Sequence, residues 1–366
     1  MRLSPEGLER AVRLAGSKPV LLVGAPGIGK TAIVKQVAQK LAAELGRQFI
    51  DLGEVDDKTI EAIKAAPKKF FVFLRIVAPR LSKDDISVPI RVQKVGGTEV
   101  KHIPPSELYV FSLSGIEGIL FIDELSNVQS DDVMSVFAAI INERSIGWDL
   151  HMQPNVRIIA AMNPMSDSAL ARELPEIISD RFIKLYVEPD IDSWTQYMLQ
   201  NHNPEVVAKV AAFLRHTGLF GYNKYNVRDL PAFTTPRSWE AVVSILEASG
   251  EIDSVVEELI AGLIGAEPAA KLIEFMRLKV DVNDVIDGKA QFERLSMGEK
   301  YVVVSAVANK LRAAAEAEQW TEVKKLVKFL SGLKGDWRGL AVALVPKSVN
   351  LKIAKKIPEY VKVAMV

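Results

Sequence analysis

Lys30 and Thr31 close the run Gly24-Ala25-Pro26-Gly27-Ile28-Gly29-Lys30-Thr31, and residues of these types at this spacing suit phosphate chemistry. Glycines let backbone N–H groups wrap a phosphate chain, an ammonium such as that of Lys30 sits against the β- and γ-phosphates, and a hydroxyl such as that of Thr31 can coordinate Mg²⁺. The pattern is a P-loop, and Gly24, Ala25, Pro26, Gly27, Ile28, Gly29, Lys30 and Thr31 are its predicted phosphate contacts. Further along, Asp123 and Glu124 end the apolar run Ile119-Leu120-Phe121-Ile122. There Asp123, with Thr31, is the expected holder of the Mg²⁺ shell, and Glu124 can orient and deprotonate a water for attack on phosphorus. Asn163 ends the next apolar run, Ala160-Ala161-Met162, before Pro164. Its amide is placed to hold a γ-phosphate or the attacking water.

These residues require a particular scaffold. Pro19-Val20-Leu21-Leu22-Val23 reads as the strand that feeds the P-loop, and Ile33, Val34, Val37, Leu41 and Leu45 recur at helical spacing behind it until Gly46. Further strands are expected at 48–52, 70–76, 118–122, 155–162 and 182–187, with a helix from Ser130 to about Asn142. Strands alternating with helices after a P-loop predict an α/β fold, a mainly parallel sheet covered on both faces. In such sheets ligands bind at the carboxyl ends of the strands, which puts Asp123, Glu124 and Asn163 beside the P-loop. Ser4 and Pro5 read as the cap and first position of a helix to about Leu14. Between Ile86 and His102, two β-rich halves joined by Gly96-Gly97 read as an inserted hairpin. Beyond Asp190 strand signals fade and amphipathic helices dominate. The expected division is therefore 1–189 for the α/β core and 190–366 for an α-helical lid and C-terminal region.

Composition narrows the classes. Lys+Arg and Asp+Glu both total 46 in 366 residues, so no overall field draws the chain to nucleic acid or an anionic membrane. The chain has no cysteine, which excludes disulfides, thiolate zinc sites and a cysteine nucleophile. Its histidines, His102, His151, His202 and His216, have no ligand-spaced partner in the sequence, so no protein metal site is expected beyond the nucleotide's Mg²⁺. Met1-Arg2-Leu3-Ser4-Pro5 lacks the apolar centre of a signal peptide, and no apolar stretch approaches a membrane span; the expectation is a cytoplasmic chain. The last 46 residues are rich in lysine, interleaved with apolar positions such as Leu326, Val327, Leu330 and Leu351, which reads as a solvated helical face. Phe220, Tyr222 and Tyr225 read as packing a loop.

Taken with Leu174-Pro175-Glu176-Ile177-Ile178-Ser179-Asp180-Arg181-Phe182 and Thr235-Pro236-Arg237-Ser238-Trp239, these motifs occur in an order that resembles the AAA+ ATPases, within them the MoxR-like, helix-2-insert branch. The resemblance spans residues 20 to 240 and implies a P-loop AAA+ core with a helical lid, ATP and Mg²⁺ as ligands, and ATP hydrolysis. It assigns Asn163 as sensor 1, Arg181 as an arginine finger reaching into a neighbouring subunit, with Arg172 as a competing candidate, and Arg237 as sensor 2 on the lid. It also implies a homo-oligomeric ring, usually a hexamer. The implied client is a protein, often one with a von Willebrand A domain, remodelled or activated in a chaperone-like way. The hairpin at 86–102 resembles this branch's insertion, although Ser87-Val88 stands where a glycine is usual. Two other readings compete. One is a nucleic-acid motor, for which Lys94 and Lys101 offer charge that Asp84, Asp85 and Glu99 offset; the other is a nucleotide-gated scaffold with little turnover.

Overall fold

The computed structural model describes residues 2–86, 88–95, 97–147, 149–167, 172–227 and 230–364. The chain divides into two units, Met1–Glu188 and Pro189–Val366.

In the first unit six parallel strands run in the order Ile183–Tyr186, Val20–Val23, Val156–Met162, Glu117–Asp123, Phe70–Val77, Gln48–Asp51. A parallel sheet has to bury both faces, and the alternation of side chains along each strand shows how this one does. Leu22, Phe71, Phe73, Ile119, Phe121, Ile159 and Ala161 enter one core, together with Leu8, Val12, Val34, Val37 and Leu41 from helices Pro5–Ala15 and Lys30–Glu44. Leu21, Val23, Val72, Leu74, Leu120, Ile122, Ile158 and Ala160 enter the other, against Val133, Met134, Phe137 and Ile140 of helix Asp131–Glu143. Phe73 and Phe121 stack with ring centroids 6.5 Å apart. Two residues further along each strand come Arg75 and Asp123, so both belong to the face covered by helix Lys30–Glu44.

Local chemistry starts and stops these helices. Ser4 accepts the Gly7 N–H at 3.1 Å and Pro5 occupies the first turn, as the sequence leads one to expect. Ser130 accepts the Val133 N–H at 3.4 Å. Helix Lys30–Glu44 differs: its cap position is Gly29, at φ +95°, and no side chain caps its first N–H groups. Gly29 and Gly27, at φ +76°, hold the left-handed backbone that turns the loop.

The inserted hairpin pairs Val88–Lys94 with Gly97–Ile103 in antiparallel register. Gly97 is already paired, with Lys94, so it belongs to the second strand of the hairpin. Ser87 and Gly96 themselves lie outside the described residues. A second, short hairpin, Ser145–Gly147 with Leu150–His151, was not expected.

The second unit is built of helices from Ile191–Asn201 to Glu359–Ala364 around a single core that includes Phe213, Trp239, Leu272, Val304, Leu311, Leu326 and Tyr360. Its longest helix, Met297–Glu316, opens on a capping box: Ser296 Oγ accepts the Glu299 N–H at 3.3 Å and Glu299 Oε2 accepts the Ser296 N–H at 2.8 Å. Three expectations are corrected here. Strands do not stop at 190, because Lys224–Val227 pairs with Leu230–Phe233; Tyr225 belongs to this hairpin, and Tyr222 stacks on Phe233 at 4.9 Å. Leu351 is not a core position but 64% exposed. His202 does have acidic partners, Glu247 at 3.0 Å and Glu240 at 3.9 Å. Lys325 and Lys352 on the lysine-rich helices pair with Asp287 and Glu318.

Candidate active site

The strand order explains which residues meet. Val156–Met162 lies between the P-loop strand and the acidic strand, with Met162 beside Val23 and Ala160 beside Ile122. Gly24, Asn163 and Asp123 therefore leave the sheet at one edge, from three adjacent strands. The Gly24 N–H donates to the Met162 carbonyl at 3.2 Å, which ties the loop to the strand carrying Asn163. Gly24 has to be glycine, since a Cβ there would stand 2.7 Å from the Val187 carbonyl oxygen.

Lys30 is 8% exposed, and its Nζ donates to the carbonyls of Gly24 at 2.6 Å and Ala25 at 2.9 Å and to Asn163 Oδ1 at 3.0 Å. An ammonium has only protons to offer, so the Asn163 oxygen faces Lys30 and its Nδ2 donors are directed elsewhere. Thr31, in the first turn of the uncapped helix, donates its hydroxyl to Asp123 Oδ2 at 2.8 Å. Asp123 is 5% exposed, and its other oxygen accepts the Glu124 N–H at 3.0 Å.

Glu124 adopts φ 58°, ψ 35°, the left-handed region, which costs a non-glycine residue about 1–2 kcal/mol. That turn carries its side chain out of the strand direction, and Asn127 Nδ2 donates to Glu124 Oε2 at 3.3 Å. Strain held at the end of a strand beside a buried acid is characteristic of functional positions.

Arg75 is the residue that reading the sequence missed. Its Nε and Nη2 lie 3.0 and 2.8 Å from Asp123 Oδ2. The signal was present: Arg75 is the one charged residue in the eight-residue strand Phe70–Val77, next to the acidic strand.

Arg181 stands elsewhere. It precedes the strand Ile183–Tyr186, whose first residue donates to the Pro19 carbonyl at 2.9 Å, so it lies at the opposite edge of the sheet from Gly24 and Asp123. A four-residue strand spans about 13 Å. Arg181 is exposed and forms no ion pair among the described residues. It borders a hollow of about 400 Å³ with Lys18, Arg144 and Asp180. Arg172, by contrast, is engaged, with Nη2 3.2 Å from Asp131 Oδ1 and its N–H on the Ser126 carbonyl at 2.9 Å. Arg237 belongs to the second unit, as the second residue of helix Pro236–Ser249, and is exposed there; Thr235 caps that helix through the Ser238 N–H at 3.1 Å.

The donor set fits a magnesium nucleotide. Thr31 Oγ1 and Asp123 Oδ2 are hard oxygen donors on one spot, Lys30 supplies a cation beside them, and the uncapped helix start offers N–H groups and a positive dipole end to phosphate. Fold and site together place a P-loop at the carboxyl edge of a parallel sheet flanked by helices. Residues 20–184 match the family model "ATPase family associated with various cellular activities (AAA)".

Among solved structures, the Thermotoga maritima RuvB Holliday junction branch migration motor is similar at 14% identity, covering 80% of this chain and 77% of that one, with a TM-score of 0.31. The FIGL-1 AAA domain in complex with ADP is 15% identical, covering 79% of this chain and 87% of that one, with a TM-score of 0.33. A chain of Drosophila ORC bound to DNA is 14% identical, covering 96% of this chain and 77% of that one, with a TM-score of 0.32. Among the described residues, no helix is long and apolar enough to cross a membrane.

Proposed function

We propose that this chain is an ATP hydrolase of the MoxR-like branch, working as a homo-oligomeric ring, hexameric as the resemblance implies, to remodel or activate a protein client. The observation that carries the reading is the contact of Thr31 with Asp123, 92 positions apart, at the sheet edge where Lys30 meets Asn163, 133 positions apart. Four side chains from three separate motifs converge where a bound phosphate chain would lie.

In this reading Gly24 to Thr31 cradle the phosphates, and Thr31 and Asp123 hold Mg²⁺. The metal, when bound, offsets charge on the phosphate oxygens as the bond to the leaving group breaks. Lys30 exchanges the Gly24 and Ala25 carbonyls for phosphate oxygens. Asn163, anchored through Oδ1, keeps its Nδ2 donors for the γ-phosphate or the water. Glu124 orients that water and takes its proton. Arg181, exposed, without an ion pair among the described residues and at the far edge of its own sheet, suits the site of a neighbouring copy better than its own, where a guanidinium stabilises developing charge. Arg237 takes the sensor 2 role that the resemblance assigns to it. The client is a protein, and a partner with a von Willebrand A domain is the first class to try.

The ring is tested by measuring mass in solution with and without ATP, beside turnover per chain on dilution. Assembly driven by ATP and turnover that falls as the ring dissociates are expected. A monomer that turns over ATP at an undiminished rate at every dilution contradicts the shared site.

A further inference from the structure

Asp123 carries more donors than its place in a metal site requires. Its Oδ2 accepts the Thr31 hydroxyl at 2.8 Å and also both Arg75 Nε at 3.0 Å and Nη2 at 2.8 Å. A carboxylate oxygen presents about two lone-pair sites, so three donors fill it. Oδ1 is held by the Glu124 N–H. A divalent cation, or a water bound to one, therefore reaches Asp123 Oδ2 only when a donor leaves. Thr31 is fixed in a helix and is itself a metal-ligand candidate. Arg75 is the donor free to move, on a long stem with a side chain 43% exposed, against 7% for that of Asp123.

We propose that Arg75 is a positioning residue that occupies the Mg²⁺ seat on Asp123 in the metal-free protein and swings out as the metal loads. This inference rests on reading the P-loop as a Mg²⁺-nucleotide site. Its electrostatics run in two directions. Without metal, the guanidinium offsets the charge of a buried carboxylate that otherwise accepts only the neutral Thr31 hydroxyl and Glu124 N–H. With metal, a guanidinium and a dication at one carboxylate repel each other. Arg75 thus stabilises the empty site and raises the Mg²⁺ concentration needed to fill it.

The test titrates Mg²⁺ into the full chain with a fluorescent ADP analogue and follows binding, alongside melting temperature with and without metal. Arg75→Met is expected to move the Mg²⁺ midpoint down by about tenfold, the scale of a partly exposed charge-assisted hydrogen-bonded pair. It should also melt earlier without metal and regain the wild-type value with Mg²⁺ and ADP. Arg75→Lys, which keeps the charge but lacks the paired donors, is expected to lie between the two, and it carries the test alone if Arg75→Met does not fold. An unchanged or raised midpoint in a folded variant overturns the proposal, because Arg75 would then not compete with the metal for Asp123. A wild-type chain with no Mg²⁺-dependent ADP binding would remove the nucleotide reading itself, and this inference with it; normal wild-type binding with unshifted variants removes this inference alone.

Discussion

Thr31 donates its hydroxyl to Asp123 Oδ2 at 2.8 Å, joining the first turn of the P-loop helix to the end of the acidic strand. The contact follows from the sheet: Asp123 is in step with Ile119 and Phe121, whose side chains lie beneath the same helix that Thr31 begins. Side-chain alternation along one strand thus decides which of its two acids faces the loop.

If Lys30 is the phosphate cation, Lys30→Ala should weaken binding of ATP and ADP by at least about tenfold, the value of one charge-assisted hydrogen bond. The fold should survive, since the partners of Lys30 are loop carbonyls and Asn163 at an open sheet edge. Equilibrium binding of a labelled nucleotide checks this, and unaltered affinity would remove Lys30 from the site.

Arg181 and Glu124 are expected to act across a subunit boundary. Arg181→Ala and Glu124→Gln should each be inactive alone, yet regain about a quarter of wild-type turnover when mixed in equal amounts, because random head-to-tail neighbours then form intact sites at that frequency. Mixtures as inactive as their components would place both groups in one subunit or remove one from the chemistry.

Arg144 serves structure. It caps helix Asp131–Glu143 at φ 59°, and its guanidinium donates to the carbonyls of Ser17, Met152, Gln153 and Val156. Burial holds its pKa below the usual value. Arg144→Ala should lower unfolding free energy by about 2–3 kcal/mol through the orphaned carbonyls. Denaturant unfolding measures this, and a change of a few tenths would show that water replaces the guanidinium without loss.

Glu9 ties two helices together, accepting from Arg13 Nε at 2.8 Å and Lys40 Nζ at 2.6 Å. The hydrogen bonds from Lys40 and Arg13 hold its carboxyl below the ordinary glutamate value of 4.5. A group depressed in the folded state contributes stability that is complete above the unfolded pKa and is lost as pH falls through the folded one. The melting temperature of Glu9→Gln should therefore fall less steeply below about pH 4.5 than that of wild type, and parallel acid limbs would count against the pairing.

The parts of the site that depend on short-range spacing were legible in the sequence. Glycines before a lysine, and acids at the end of an apolar run, carry their meaning locally, and a parallel sheet then dictates their convergence. Arg75 was not legible as a partner of Asp123, because its role depends on which strand lies beside which, and the inserted hairpin separates the two in sequence. His202 with Glu247 is the same kind of contact, made across 45 positions between helices. The hairpin Lys224–Phe233 was hidden for another reason: Pro231 sits within it, and proline weakens a strand signal except where pairing is short or at an edge. Leu351 failed as a core position because one lysine-rich helix gives too few turns to fix which face is inward, and Val349 and Ile353 are the buried ones.

The central claim is that Glu124 activates water at a site built by the P-loop and Asp123. Phosphate release from Mg²⁺-ATP, measured for wild type and Glu124→Gln beside nucleotide affinity, tests it most directly. Glu124→Gln is expected to retain affinity within a few fold and to release phosphate at least about 100-fold more slowly, the scale of losing a positioned general base. Equal release by the two proteins would contradict it.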